Sequence, residues 1–121
     1  METVGTNVIT ASSGNVAAAV AAATLPGVAG KTTCISGFSV VGCGATAASV
    51  VLVTITGLIG GVTLTYPLAV LVGASLQNML IDRNFRPAIP ASAPNTAIVV
   101  SCPSLGAGNT NNVVNVQGYQ V

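Results

Sequence analysis

Histidine and tryptophan are absent from this chain, and only five of its 121 residues are charged at neutral pH. They are Glu2, Lys31, Asp82, Arg83 and Arg86. An average chain of this length carries about 30. Each absence excludes something. Without histidine, and with two isolated carboxylates, proton-transfer catalysis has no acid–base pair to use. The serines and cysteines have no neighbouring base to activate them. Three cations do not make the basic surface that phosphate neutralisation requires, so nucleic acid is not an expected partner. Cys34, Cys43 and Cys102 are odd in number and lack C-x-x-C spacing, and no histidine can complete a zinc site. They read as small buried hydrophobes in a reducing compartment, with a Cys34–Cys43 bridge left open by the spacing. The expectation is a non-enzyme with no catalytic residue, no cofactor and no metal.

What is present is apolar: 51% of the chain, at a net charge of +1. That excludes a disordered tail and favours association over a lone soluble subunit. Val50 to Gly73 is uncharged and long enough to cross a bilayer as a helix. Its chemistry is wrong for one. Val50-Val51-Leu52-Val53-Thr54-Ile55-Thr56 is dominated by β-branched residues, Thr63 to Tyr66 alternates polar with apolar, and Gly57, Gly60, Gly61 and Pro67 interrupt the span. No membrane is expected. The start, Met1-Glu2-Thr3-Val4-Gly5, puts an acid where a secretory leader has bases, so synthesis and folding in a cytoplasm are expected.

Two glycine-rich stretches fail as nucleotide loops. Before Gly30-Lys31-Thr32, a phosphate loop needs glycine where Leu25 stands, and a strand follows instead of a helix. After Gly42-Cys43-Gly44, Ala47 occupies the third glycine position of a dinucleotide loop. Both read as turns.

The chain divides into strand-length pieces. Residues 1–15 are small and polar with a short Val8-Ile9-Thr10 piece, and read as an N-terminal arm that is either free or ordered against a neighbouring subunit. Residues 16–121 read as a single domain. Val16 to Leu25 is strand or short helix, ended by Pro26-Gly27. Lys31 to Val41 alternates, with Thr32, Cys34, Ser36, Phe38 and Val40 on the expected core side. Ala48 to Thr56 is a strand with Val51, Val53 and Ile55 on one face. Leu58 to Gly61 is a hairpin connection, and Val62 to Tyr66 and Leu68 to Val72 are a strand pair broken or bulged at Pro67. Leu76 to Ile81 is a further strand, and Asn84 to Pro94 a loop set by Pro87, Pro90 and Pro94. Asn95 to Cys102 and Asn112 to Val121 are the last strands. Seven or eight short antiparallel strands with frequent turns predict an all-β sandwich, jelly-roll-like.

Sheet edges are normally guarded by charge. Here almost none is available, so the edges must be short, covered or paired, and a homo-oligomer, best drawn as a trimer, is expected. Asp82, Arg83, Asn84, Phe85 and Arg86 hold three of the five charges. They read either as a solvated loop or as a contact rich in interface-type residues. With Thr3, Val4, Val8 and Ile9 of the arm, they are the candidate interface residues.

The stretches Thr24 to Thr33, Ile35 to Phe38, Gly44 to Ser49, Val53 to Leu58, Ile89 to Val100 and Gly106 to Asn111 resemble small structural proteins encoded by tailed bacteriophages. The resemblance runs over about residues 20–121. It implies a β-sandwich in a virion and carries over no catalytic residue. Asn78 to Arg86 is more charged and bulkier than is usual for the group. Two roles follow from it. The first is a decoration, or cement, protein on the outside of the phage head, holding neighbouring major capsid subunits together. The second is a trimeric tail-fibre or receptor-binding module. The expected location is the virion, at the head surface, after synthesis in the cytoplasm of a bacterial host.

Overall fold

Runs of Val, Ile and Thr prefer the extended backbone because their branched side chains fit a pleated surface. In the computed structural model, which describes residues 7–73 and 79–121, those runs form eight strands. They are β1 (Asn7–Ser12), β2 (Ala21–Leu25), β3 (Thr33–Cys43), β4 (Ser49–Thr56), β5 (Leu64–Val70), β6 (Met79–Pro90), β7 (Ile98–Cys102) and β8 (Asn111–Gln120). A 3-10 turn, Ile59–Gly61, joins β4 to β5.

The pairing is nested and antiparallel: β1 with β8, β2 with β7, β3 with β6, β4 with β5. Further pairing of β3 with β8 and of β4 with β7 assembles two four-stranded sheets, ordered β1-β8-β3-β6 (sheet A) and β2-β7-β4-β5 (sheet B). A long hairpin wrapped over itself in this order is a jelly roll. Ile35, Val40 and Val114 from sheet A meet Leu25, Val53, Ile55, Val70, Ile98 and Val100 from sheet B in a fully buried core. Each such side chain contributes about 1.5–3 kcal/mol by leaving water.

Several expectations change in three dimensions. The arm boundary at residue 15 does not hold, because Asn7–Ser12 is an edge strand of sheet A, in register with β8 from Asn7↔Gln120 to Ser12↔Asn115. Ile9 and Ala11 pack against the core from there. The expected loop from Asn84 is strand as far as Pro90. Its prolines are tolerated because β6 is an edge strand, where a missing N–H breaks no inner ladder. Phe85 to Ala88 stand opposite Ser36 alone, between the pairs Gly37↔Asn84 and Ile35↔Ile89. For the same edge reason Pro67 does not split β5, which is one strand paired to β4 through Leu52↔Pro67. The expected strand Leu76 to Ile81 is described only from Met79, inside β6. Val16 to Leu25 resolves as strand at Ala21–Leu25.

The core side of β3 also differs. Between Ile35 and Gly37 the register with β8 shifts by one residue, so Ser36 is a bulge. Phe38 and Val40 face the core as expected. Beyond the bulge the alternation inverts: Ile35 and Thr33 turn inward, and Cys34 pairs with Tyr119 on the outer side. Gly118, opposite Ile35, leaves room for this crossing, because a Cβ there would collide with the Cys34 carbonyl oxygen.

Polar groups at the two ends of the sandwich are tied by amides and hydroxyls. At one end the buried Asn109 donates from Nδ2 to the carbonyls of Cys43 (2.9 Å) and Asn111 (2.8 Å), and the Ala18 N–H donates to its backbone oxygen (2.9 Å). Asn15 donates to Asn111 Oδ1 (2.9 Å). At the other end Thr33 Oγ1 (2.8 Å) and Gln120 Nε2 (3.0 Å) both donate to the Pro26 carbonyl. Asn109→Ala strands the carbonyls of Cys43 and Asn111 and removes the longer 3.3 Å bond from the Ala18 N–H to Oδ1, while the Ala18 bond to the backbone oxygen remains. The substitution is expected to cost about 1–3 kcal/mol in urea unfolding, whereas exposed Asn115→Ala stays within about 0.5 kcal/mol. Equal effects would refute Asn109 as a structural tie.

Candidate interaction surfaces

The five residues Asp82–Arg86 lie on a strand and therefore do not act as one patch. Arg83 pairs with Phe38, whose side chain is in the core, while Asp82 pairs with Ser39 and Asn84 with Gly37 on the outer side. The Arg83 guanidinium stands over the Tyr66 ring of β5, 5.8 Å from its centroid. Phe38 meets Tyr66 at 5.3 Å, tilted by 58°, and stacks on Phe85 at 6.1 Å. This cluster bridges β6 of one sheet to β5 of the other and closes that side of the sandwich. Arg83 and Phe85, read from the sequence as part of either a solvated loop or a contact, lie on the side of β6 that meets Phe38 and Tyr66: Phe85 is half-buried, and Arg83 stays exposed while its guanidinium caps the Tyr66 ring. Asp82, Asn84 and Arg86 are exposed as well.

The two candidate regions are not brought together. β1 and β6 are opposite edges of sheet A, with β8 and β3 between them, about 14 Å apart. Val8 points outward and is 58% exposed, whereas Ile9 packs toward the core. Thr3 and Val4 lie outside the described residues.

The outer face of sheet A carries a feature that the chain order hides. Two polar rows cross all four strands: Thr10, Gln117, Gly37 and Asn84 in one, Ser12, Asn115, Ser39 and Asp82 in the other. They enclose a trough of about 390 Å³. Gly37 lines it without a side chain of its own. Asn84 Oδ1 and Gln117 Nε2 lean over this point, 2.9 Å and 3.4 Å from where a Cβ would stand. A row of Val8, Tyr119, Cys34 and Pro90 bounds the trough on one side. Linear reading missed it because its members come from four strands; the available signal was the odd-numbered amides of the last strand, Asn115 and Gln117.

The outer face of sheet B has the opposite character. Its rows are built from Ala22 and Thr24 of β2, Val99 and Ser101 of β7, Val50, Leu52, Thr54 and Thr56 of β4, and Thr65, Pro67 and Ala69 of β5. None of these ionises. Val50 is 66% and Leu52 49% exposed.

No protein-family model and no curated protein matches this sequence.

Among the described residues, no three His, Cys, Asp or Glu side chains gather to hold a metal ion, and no helix is long and apolar enough to cross a membrane. All three cysteines are free. Burial pushes the Cys34 and Cys102 thiols up, opposed by hydrogen bonds from Tyr119 and Asn112 respectively. Tyr119 is pushed up by burial and by its neighbour Cys34. An acid held neutral in this way stabilises the fold fully below its unfolded value, about 8.5 for a thiol, and the contribution is lost as pH rises through the folded value. Thermal midpoints are therefore expected to be level from about pH 6 to 8 and to fall above about pH 9. Iodoacetamide near neutral pH is expected to label half-buried Cys43 first, with Cys34 and Cys102 protected until unfolding. Equal labelling of all three in the native protein would contradict the burial.

Proposed function

We propose that this chain is a virion structural protein, a decoration or cement protein. It coats the outside of a tailed-phage head as a homo-oligomer, drawn as a trimer, and stabilises contacts between major capsid subunits. One observation carries the reading: the outer face of sheet B, four strands wide, bears no ionisable side chain and exposes Val50 and Leu52. A face of this kind loses little on leaving water, since no ion has to be desolvated. Every apolar Å² it hides contributes roughly 25 cal/mol. Contacts that are modest singly become strong when one oligomer engages several shell subunits together. The resemblance to phage structural proteins supports the setting. A bound shell partner supplies the holding force by raising the work needed to separate the subunits beneath it.

Sedimentation velocity at micromolar concentration is expected to show an oligomer. Replacing Leu52 and Val50 by Lys places two cations in the contact and is expected to weaken association at least tenfold, or about 1.4 kcal/mol. The circular dichroism spectrum should not change, because both side chains lie outside the core. Reconstruction of the virion is expected to place copies at icosahedral positions on the head. A wild-type chain that stays monomeric and leaves shells bare would overturn the proposal. A few copies confined to the tail would replace it with the tail-fibre or receptor-binding reading.

A further inference from the structure

The trough on the outer face of sheet A has no part in the assembly reading, and its chemistry is of a different kind. We propose that it is a binding site for a neutral carbohydrate chain.

The first ground is unspent hydrogen-bonding capacity. Many side-chain amides elsewhere in the fold are committed, Asn7 to Gln120, Asn15 to Asn111 and Asn109 to two carbonyls, although exposed Asn95 makes no side-chain bond and Asn112 Oδ1 has no partner. Among the described residues, the side-chain amides of Asn84, Asn115 and Gln117 bond to no group of the protein. All three line one trough, and the absence of a side chain at Gly37 gives Asn84 and Gln117 room to lean into it. Each amide presents a donor and an acceptor side by side, and Asp82 adds a pure acceptor. A sugar ring displays adjacent hydroxyls, each of which donates and accepts, so a mixed lining of this sort satisfies it.

The second ground is charge. Among the described residues, Asp82 is the only ionisable group lining the trough, and no cation joins it there. A phosphate, sulfate or carboxylate would meet an acid without a counter-charge, so an anionic ligand is disfavoured. Arg83, next in sequence, is directed over Tyr66 on the far side of the sheet. With an anion disfavoured, the three amides, whose N–H donors outnumber the single carboxylate, suit the neutral hydroxyls of a sugar better than a cation. A peptide strand is also a poor occupant, because peptides add to sheet edges, whereas this trough lies across a face whose backbone groups are already paired.

The third ground is shape. The trough spans the sheet from β1 to β6, roughly 14 Å, room for a few sugar rings in line. Tyr119 stands two residues beyond Gln117 on β8 and places a half-buried aromatic at its margin. With this one ring at the margin, single-site affinity is expected to be millimolar. Multiple copies on one particle raise the effective affinity without new contacts.

The test is a titration of the uniformly nitrogen-15-labelled full chain with cellotetraose, maltotetraose and chitotetraose, following side-chain amide resonances by NMR. At least one sugar is expected to shift Asn84, Asn115 and Gln117 saturably. Asn84→Ala combined with Gln117→Ala is expected to weaken that binding about tenfold or more, while Thr65→Ala on the opposite sheet leaves it unchanged. Unaltered backbone spectra outside the trough would show that the double variant is folded. Failure of all three sugars to move these resonances at tens of millimolar overturns the proposal. So does binding that survives the double substitution. Shell attachment is a separate measurement: a chain that coats particles without binding sugar refutes this inference alone, and one that binds sugar without coating refutes only the structural role.

Discussion

Scarcity of charge is the constraint on which the rest of this structure depends. A sandwich of eight strands has four exposed edges, and charge is the usual way to keep them from pairing with other chains. This chain uses other means. β6 carries Pro87 and Pro90 together with most of the charge, β5 carries Pro67, and β2 is only five residues long. β1 is short and has neither proline nor charge. At the polar ends of the sandwich Asn109, Thr33 and Gln120 donate to carbonyls and Asn15 donates to Asn111, while the buried Asn112 Oδ1 has no partner. Neutral hydrogen bonds of this kind add modestly when made and cost more when a buried partner is stranded, and they tie the ends with no ion pair among them.

The same constraint separates the two outer faces. Sheet B presents hydroxyls and aliphatic groups only, a surface that tolerates a permanent neighbour. Sheet A gathers the amides, hydroxyls and Asp82 into a depression. The difference arises from composition along alternate positions of a few strands. Val50 and Leu52 stand outward on β4, where Asn115 and Gln117 stand outward on β8. Each strand supplies one face to a shared core, so its other face is free to vary without cost to the fold.

Much of the architecture was legible in the linear sequence. The alternation of β4 grouped Val51, Val53 and Ile55 on one face, which the structure shows to be the core face, and the Gly60-Gly61 connection marked the turn that follows. Prolines misled twice, at Pro67 and Pro87, because a proline reads as a break until it is known that the strand is an edge. The core face of β3 was half right: Phe38 and Val40 follow the simple period, but the bulge at Ser36 inverts it for Ile35. The charged run Asp82–Arg86 was visible as a cluster. Its division between a trough and an aromatic closure was not, since that depends on which partner residue lies across the ladder.

The sequence by itself determined the fold class and most of the strand-forming segments, because these follow from local propensity and alternation. Tertiary structure alone decided which edges are paired, which way Arg83 and Phe85 turn, and that Thr10, Gln117, Gly37 and Asn84 stand in one row. Those facts depend on contacts between residues far apart in the chain, and only the nesting of β1 against β8 and β3 against β6 brings them together.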